Sequence, residues 1–405
     1  MNPDKKDFSP RVHYFIFFSI ILGFNYLLSK YQFFITEGWF ETFAVYANSG
    51  IDIYKDYNYF LPPLTVSIFS GFINLFGLDF ISLRYFFALI HVLNFYIIFL
   101  VLQKRTNIDS AIIGSLLTFF LIINNPAFIA KDYHTIVSLL VALLIYVLPF
   151  GDENKKINNK TPIYIGLLIG LLILTKHNIG VIFGFSIFLY INLILFSNKY
   201  RLSEFIKINL CLFVSLFAIL LSFTTFISPS WLSVFSFDTP KGSIYTILFR
   251  FILDPTNRKI IFVSLLFTVL IYIFYFLVKS YKYKFVTFLN YYLASIASFF
   301  RITDYQIGRS NMFLFLVLAF IGAIFILFKL KIAILYMFAL SWPLLRLLKS
   351  NTKNDVLFCI PLYTLAYCGT TTAGFNSVSL EILLALFFAE LIFILRELCI
   401  SSKDN

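Results

Sequence analysis

The chain has 405 residues, 60 % of them hydrophobic and only 13 % charged, with a mean hydropathy of +0.88. A soluble domain of this size carries roughly a quarter of its residues as charges to cover its surface, so a soluble fold is excluded. The net charge of +12 would suggest nucleic acid in a soluble protein. Here Lys and Arg gather in short gaps between apolar runs, as the positive-inside rule expects, and no nucleic-acid partner is implied.

At the N-terminus a basic segment, Asp4-Lys5-Lys6 through Arg11, precedes an apolar run from Tyr14 to Leu28. No small-residue cleavage site follows, which predicts an uncleaved anchor. Further runs long enough, or nearly so, to span lie at 85–102, 108–126, 135–150, 162–196, 208–228, 260–278, 285–300, 311–328, 331–347, 355–373 and 379–398. A span needs about 20 residues, so the 162–196 run divides in two at Lys176-His177-Asn178. The expectation is an all-α, polytopic transmembrane helix bundle of about 11 to 13 helices. Residues 1–345 form one transmembrane module, 346–405 its C-terminal helices, and no soluble domain is expected.

Orientation follows from counting Lys and Arg. With the N-terminus inside, Lys104-Arg105, Lys155-Lys156-Lys160, Lys199-Arg201-Lys207, Lys279-Lys282-Lys284 and Lys329-Lys331 all fall on the inner side. That count requires 61–77 not to cross. Opening on Pro62-Pro63 and ending at Gly77, this segment is short for a span and suits a helix lying on the membrane surface. Residues 31–84 are then one large outer loop with short interfacial helices. Beyond Lys331 the count gives two answers. The cysteines, Cys211, Cys359, Cys368 and Cys399, lack metal-ligand spacing and read as thiols in apolar runs.

The polar residues at the outer edge carry the chemistry. Glu37 and Glu41 lie one helical turn apart and share a face if helical; a solvated helix end explains them equally well. The same loop holds Asp52, Tyr54, Lys55, Asp56 and Arg84. The second outer loop reads Lys131-Asp132-Tyr133-His134, unusual in so short a connection. Either it is a functional site or Lys131 and Asp132 form a surface pair beside an interfacial histidine. Lys176 interrupts an apolar stretch on the same side, either snorkelling or holding an anionic lipid phosphate. No acid stands alone within a predicted span, and Asp304, Arg309 and Glu381 read as packing or snorkelling residues.

In order and spacing, Glu37-Gly38-Trp39-Phe40, Gly50 with Tyr54-Lys55-Asp56-Tyr57, Pro62-Pro63-Leu64, Phe76-Gly77 and Arg84 resemble the first half of GT-C membrane glycosyltransferases. The similarity is greatest to the Rgt-like and protein-mannosyltransferase-like bacterial members. Thr175-Lys176-His177-Asn178-Ile179-Gly180 is similar to a Thr-Lys helix of that group, and Asp132-Tyr133-His134 falls where those enzymes place an acid. The resemblance covers roughly residues 10 to 200. It departs at Thr36, where several relatives carry the Asp of an Asp-Glu pair, and this leaves the working acid open among Glu37, Asp56 and Asp132.

The resemblance implies a GT-C-like fold in a bacterial inner membrane. The implied reaction moves a sugar from a polyprenyl-phosphate-linked donor to a lipid, glycan or protein acceptor at the periplasmic or exterior face. A lipopolysaccharide component is one such acceptor. It assigns catalysis to Glu37 and Asp132, and substrate binding to Lys176, His134, Asp56, Arg84, Tyr54 and Lys131. Lys176 or Arg84 would compensate the leaving phosphate. Two carboxylates are too few to predict a divalent metal, so no cofactor is expected. The chain has no P-loop and no G-x-G-x-x-G after a strand, in keeping with a lipid-linked donor. Rival readings are an O-antigen or capsule polymerase or ligase, and a flippase or transporter. The latter usually places its polar residues at the midplane.

Overall fold

The computed structural model describes residues 10–31, 35–57, 59, 61–123, 132–149, 157–158, 160–226, 229–235, 357–362, 364–365 and 380–400. Its helices are α1 (Pro10–Tyr31), α2 (Ile35–Asn48), α3 (Ile53–Asp56), α4 (Leu64–Phe76), α5 (Phe80–Gln103) and α6 (Ile108–Ile123). They continue as α7 (Tyr133–Val147), α8 (Lys160–Thr175), α9 (His177–Ser197), α10 (Leu202–Phe226) and α11 (Leu380–Ile400), with a 3-10 turn at Pro229–Phe235. Among the described residues the architecture is all-α and no strand is found. Among the described residues three helices, α5, α9 and α10, are long and apolar enough to cross a membrane, and shorter apolar helices accompany them.

The directions of the helices follow from side-chain pairs. Phe18 meets Tyr96, Asn25 meets His91, and the Ser29 carbonyl accepts from Arg84, so α1 runs antiparallel to α5. Lys104 Nζ donates to the Tyr146 carbonyl at 2.9 Å, bringing the end of α7 to the end of α5. Tyr190 Oη donates to the Pro149 carbonyl, and Ile157 N donates to Tyr200 Oη at 2.8 Å. Lys104, Arg105, Lys160, Lys199 and Arg201 therefore share one end of the bundle, here the basic end. The end of α1, the start of α5, Asp132 and Lys176 lie at the opposite end, here the site end.

At the site end lies the segment read from sequence as a surface helix. Asp52 caps α3 by accepting from Tyr54 N and Lys55 N, at 3.1 and 3.4 Å. Pro63 opens α4, where its missing N–H has no helical partner to lose. Gly77, at φ +82°, closes it by donating to the Ile73 carbonyl at 2.8 Å. With 13 residues, α4 is about 20 Å long, too short for a hydrocarbon core of about 30 Å. It buries Val66, Phe69 and Phe72 against its neighbours and leaves Leu75, Phe76 and Leu78 exposed, an apolar tip suited to a membrane interface.

The long 162–196 run breaks where the sequence suggests. Lys176 takes an extended conformation (φ −153°, ψ 95°) between α8 and α9. The reversal depends on Gly180, where a Cβ would lie 2.5 Å from Ile173 N and 2.6 Å from its Cα. Gly180→Val should thus lower the unfolding temperature in detergent by several degrees, since overpacking costs about 1–3 kcal/mol. Gly23→Val, at a position with nothing within 4 Å, serves as the control and should move it by far less. Equal losses in both would contradict the close approach.

Candidate active site at the site end

The core of the site is the start of α7. Asp132, with no exposed surface, caps this helix by accepting from His134 N at 2.8 Å. The same carboxylate oxygen meets His134 Nδ1 at 2.7 Å. A carboxylate oxygen only accepts, so Nδ1 carries the hydrogen and the lone pair of a neutral His134 lies on Nε2. Among the described residues Nε2 makes no hydrogen bond. The pair is a carboxylate–imidazole dyad with its basic nitrogen unspent.

Tyr133 joins this dyad to the α8–α9 break. Its ring lies 3.9 Å from that of His134 and 5.6 Å from Phe40 of α2. Lys176, only 4 % exposed, donates from Nζ to Tyr133 Oη at 3.1 Å and stands 4.6 Å from the ring centroid. Behind them Tyr59 packs on Tyr54, whose hydroxyl donates to the Leu61 carbonyl at 3.1 Å. Burial, then the nearby Tyr54, Tyr133 and Asp132, holds the Tyr59 phenol well above its usual range, so it stays neutral.

A second polar group lies where α2 meets α5. Glu41 is nearly buried, and burial followed by the charge of Asp79 raises its carboxyl above the ordinary range, against the opposing pull of Arg84. Arg84 Nη1 donates to the Ser29 carbonyl at 3.4 Å, and its guanidinium lies 4.7 Å from the Phe80 ring centroid. Asp79 caps α5, and the Ser82 hydroxyl holds its carboxyl low. Glu37 stands one turn before Glu41 on α2. Its side chain lies outside the described residues, as does Lys131 altogether. A third group is the cap Asp52, which accepts from Ser230 Oγ at 2.9 and 2.8 Å and lines a cavity of about 520 Å³ with Ser67, Ser70 and Asn74.

Of the residues singled out in the sequence, Asp132, His134 and Lys176 come together, with Tyr54 one layer behind them. Arg84 sits with Glu41, and Asp56 is exposed at the end of α3. Asp132 is not half of a surface pair, because it is wholly buried as a helix cap. Tyr133, the link between dyad and lysine, was not among the candidates; its only signal was its place between an Asp and a His. Of the two readings of Glu381, packing and snorkelling, the structure shows packing. It lies buried against His91 and Asn94 inside the bundle.

No family model and no curated protein matches this chain. It is similar in structure to ArnT of Cupriavidus metallidurans. The apo form superposes with a TM-score of 0.44 at 14 % identity, covering 95 % of this chain and 78 % of ArnT. The form of ArnT bound to undecaprenyl phosphate gives 0.41 at 13 %, covering 94 % and 78 %. Both likenesses are remote in sequence and modest in superposition.

The raised Glu41 carboxyl sets a direction for stability. The unfolded group titrates near 4.5 and the folded one higher, so this residue weakens the fold as pH rises through that interval. Glu41→Gln should unfold at a higher temperature than the wild type at neutral pH, with the gain gone below about pH 4. A Gln variant less stable than wild type at neutral pH would show that the Arg84 pairing outweighs burial.

Proposed function

We propose that this protein is an integral membrane glycosyltransferase acting at the outer face of a bacterial inner membrane. It moves a sugar from a polyprenyl-phosphate-linked donor to a lipid, glycan or protein acceptor. The observation that carries this reading is the placement of a nearly buried Lys176 on Tyr133, next to the Asp132–His134 dyad. Cation and base thus meet at one end of the bundle, and the sequence resemblance to GT-C enzymes rests on residues of the same end.

The chemistry assigned to these groups is simple displacement at the sugar's anomeric carbon. An acceptor hydroxyl oxygen forms the new bond to that carbon, and the bond to the phosphate oxygen breaks. The polyprenyl phosphate departs with the bonding electrons, and His134 Nε2 takes the acceptor proton. Asp132 fixes the imidazole tautomer and stabilises the cation that forms, an arrangement typically contributing about 10² to 10⁴ in rate. Lys176 balances the extra charge on the departing phosphate, where a preformed cation in a low-dielectric site is most effective. Glu37, one turn before Glu41 on α2, is the second candidate base, and Arg84 and Glu41 are candidates to bind the acceptor or the donor.

The test uses purified protein in vesicles with a panel of radiolabelled undecaprenyl-phosphate sugars and an envelope lipid extract as acceptor. One donor should be consumed by the wild type. His134→Asn and Asp132→Asn should each slow transfer about 10²-fold or more with little change in donor binding. Glu37→Gln decides which base works, because full activity there leaves the dyad as the base. Label crossing the bilayer with no donor consumed would replace this reading with a flippase.

A further inference from the structure

A cavity of about 520 Å³ opens between the end of α2, α3 and α4, and the chemistry proposed above makes no use of it. Its volume lies within the range of about 300–1,000 Å³ common to small-molecule sites. None of Asp132, Tyr133, His134 and Lys176 lines it. Tyr54 does, and its ring packs at 5.7 Å on Tyr59, which neighbours Tyr133 and Asp132. The cavity is thus distinct from the dyad but joined to it through Tyr54 and Tyr59.

The wall is polar in an ordered way. Ser67, Ser70 and Asn74 line the cavity from α4, a helix otherwise rich in Ile, Leu and Phe. From Ser67 to Asn74 the row is about 10 Å long at 1.5 Å per residue. Ser70 Oγ and Asn74 Nδ2 both donate to Asn48 Oδ1 of α2, the second at 3.1 Å. Asn48 Nδ2 donates in return to the Ser70 carbonyl at 3.4 Å. Among the described residues, this leaves Asn74 its Oδ1 and a second N–H to offer a ligand. Ser67 Oγ donates to the Pro63 carbonyl at 2.9 Å and keeps its lone pairs for accepting. The Asp52 carboxylate completes the set, fixed by Tyr54 N, Lys55 N and Ser230 Oγ. Ile51, Pro63 and Val66 supply apolar surface between these groups.

A ligand matched to this wall donates and accepts at several points along its length and offers apolar surface between them. Saccharides have that character, since each hydroxyl both donates and accepts and the C–H faces of the ring pack on aliphatic and aromatic side chains. A carboxylate in the wall sets like charge against an anion, so a phosphate is the wrong occupant.

We propose that this cavity is a binding subsite for an uncharged saccharide. Its role rests on the transferase reading above. There the saccharide is a sugar of the acceptor, set apart from the sugar whose hydroxyl reacts at the dyad. The acceptor therefore already carries a glycan of more than one sugar, and a bare lipid or protein hydroxyl is a poor substitute. The donor is not the occupant, because its sugar is bonded directly to the phosphate assigned to Lys176.

Gly71 gives the test its handle. It lines the cavity, and a Cβ added there meets nothing within 4 Å. Helix interiors favour leucine over glycine, so Gly71→Leu should fold as well as the wild type while filling the space. Ser67→Ala is the milder variant, removing one acceptor without touching the Asn48 network that ties α4 to α2.

The first measurement is saturation-transfer NMR on the full-length protein in lipid nanodiscs, with no glycoside detergent present. The probes are methyl glycosides of glucose, galactose, rhamnose and N-acetylglucosamine, with lactose, chitobiose and the anionic galacturonic acid. At least one neutral probe should bind, and galacturonic acid should bind more weakly than methyl galactoside. Gly71→Leu should abolish most of the signal, and Ser67→Ala should weaken affinity roughly two- to tenfold, the loss of one hydrogen bond. The subsite is overturned if no neutral probe binds, if galacturonic acid binds better, or if folded Gly71→Leu binds as the wild type does. The second measurement is transfer in vesicles, where Gly71→Leu should raise the KM for a glycan acceptor severalfold. Transfer with the same acceptor KM in both proteins strikes the subsite and leaves the transferase standing. Saccharide binding that Gly71→Leu loses, with no transfer by the wild type, keeps the subsite and strikes the transferase.

Discussion

The chain reversal at Lys176 is made by contact between backbones, with Gly180 pressed against Ile173 so closely that any side chain would collide with the main chain. That contact brings α8 and α9 together as an antiparallel pair without a loop. It leaves Lys176 as the extended residue between them, with no room to trail its side chain into solvent. The ammonium instead lies on Tyr133. A lysine buried to this degree is costly unless something anionic shares its surroundings. The reversal therefore sets a cation into an apolar wall at the site end of the bundle, where α2, which meets Tyr133 through Phe40, also lies.

Helix caps hold further carboxylates described at the site end. Asp132, Asp79 and Asp52 each begin a helix by accepting backbone N–H groups, and each also meets a further side chain: His134, Ser82 and Ser230 respectively. A cap is a rigid place to hold a carboxylate, because its oxygens are fixed by the helix as well as by the neighbouring side chain. For Asp132 that rigidity passes to His134, whose ring is held by the same oxygen. Helix formation and preparation of a base are here one interaction.

Much of this was legible in the sequence, for identifiable reasons. Breaks in apolar runs are local signals, so the division at Lys176, the short helix after Pro62-Pro63 and the singling-out of Asp132 and His134 all followed from spacing. Partners were not legible. Arg84 stands beside Glu41 and donates to the Ser29 carbonyl, neighbours that no local signal announces. Asp56 shares a short motif with Tyr54, but α3 leaves one exposed and the other buried. Glu381 and Asn94 stand 287 residues apart, and neither periodicity nor charge counting reaches across that separation. Tyr133 was overlooked because tyrosine and phenylalanine are so frequent here that a single ring carries little information.

The measurement that bears most directly on the account is the binding of undecaprenyl phosphate to the purified protein, set against undecaprenol, which lacks the phosphate. If Lys176 receives the phosphate, Lys176→Met should weaken binding of the phosphate form about tenfold or more, since a charge-assisted hydrogen bond is worth roughly 1.5–3 kcal/mol. Binding of undecaprenol should be unchanged. Equal affinity of the wild type and the variant for undecaprenyl phosphate, with both folded, would contradict the account and leave Lys176 as a packing residue on Tyr133.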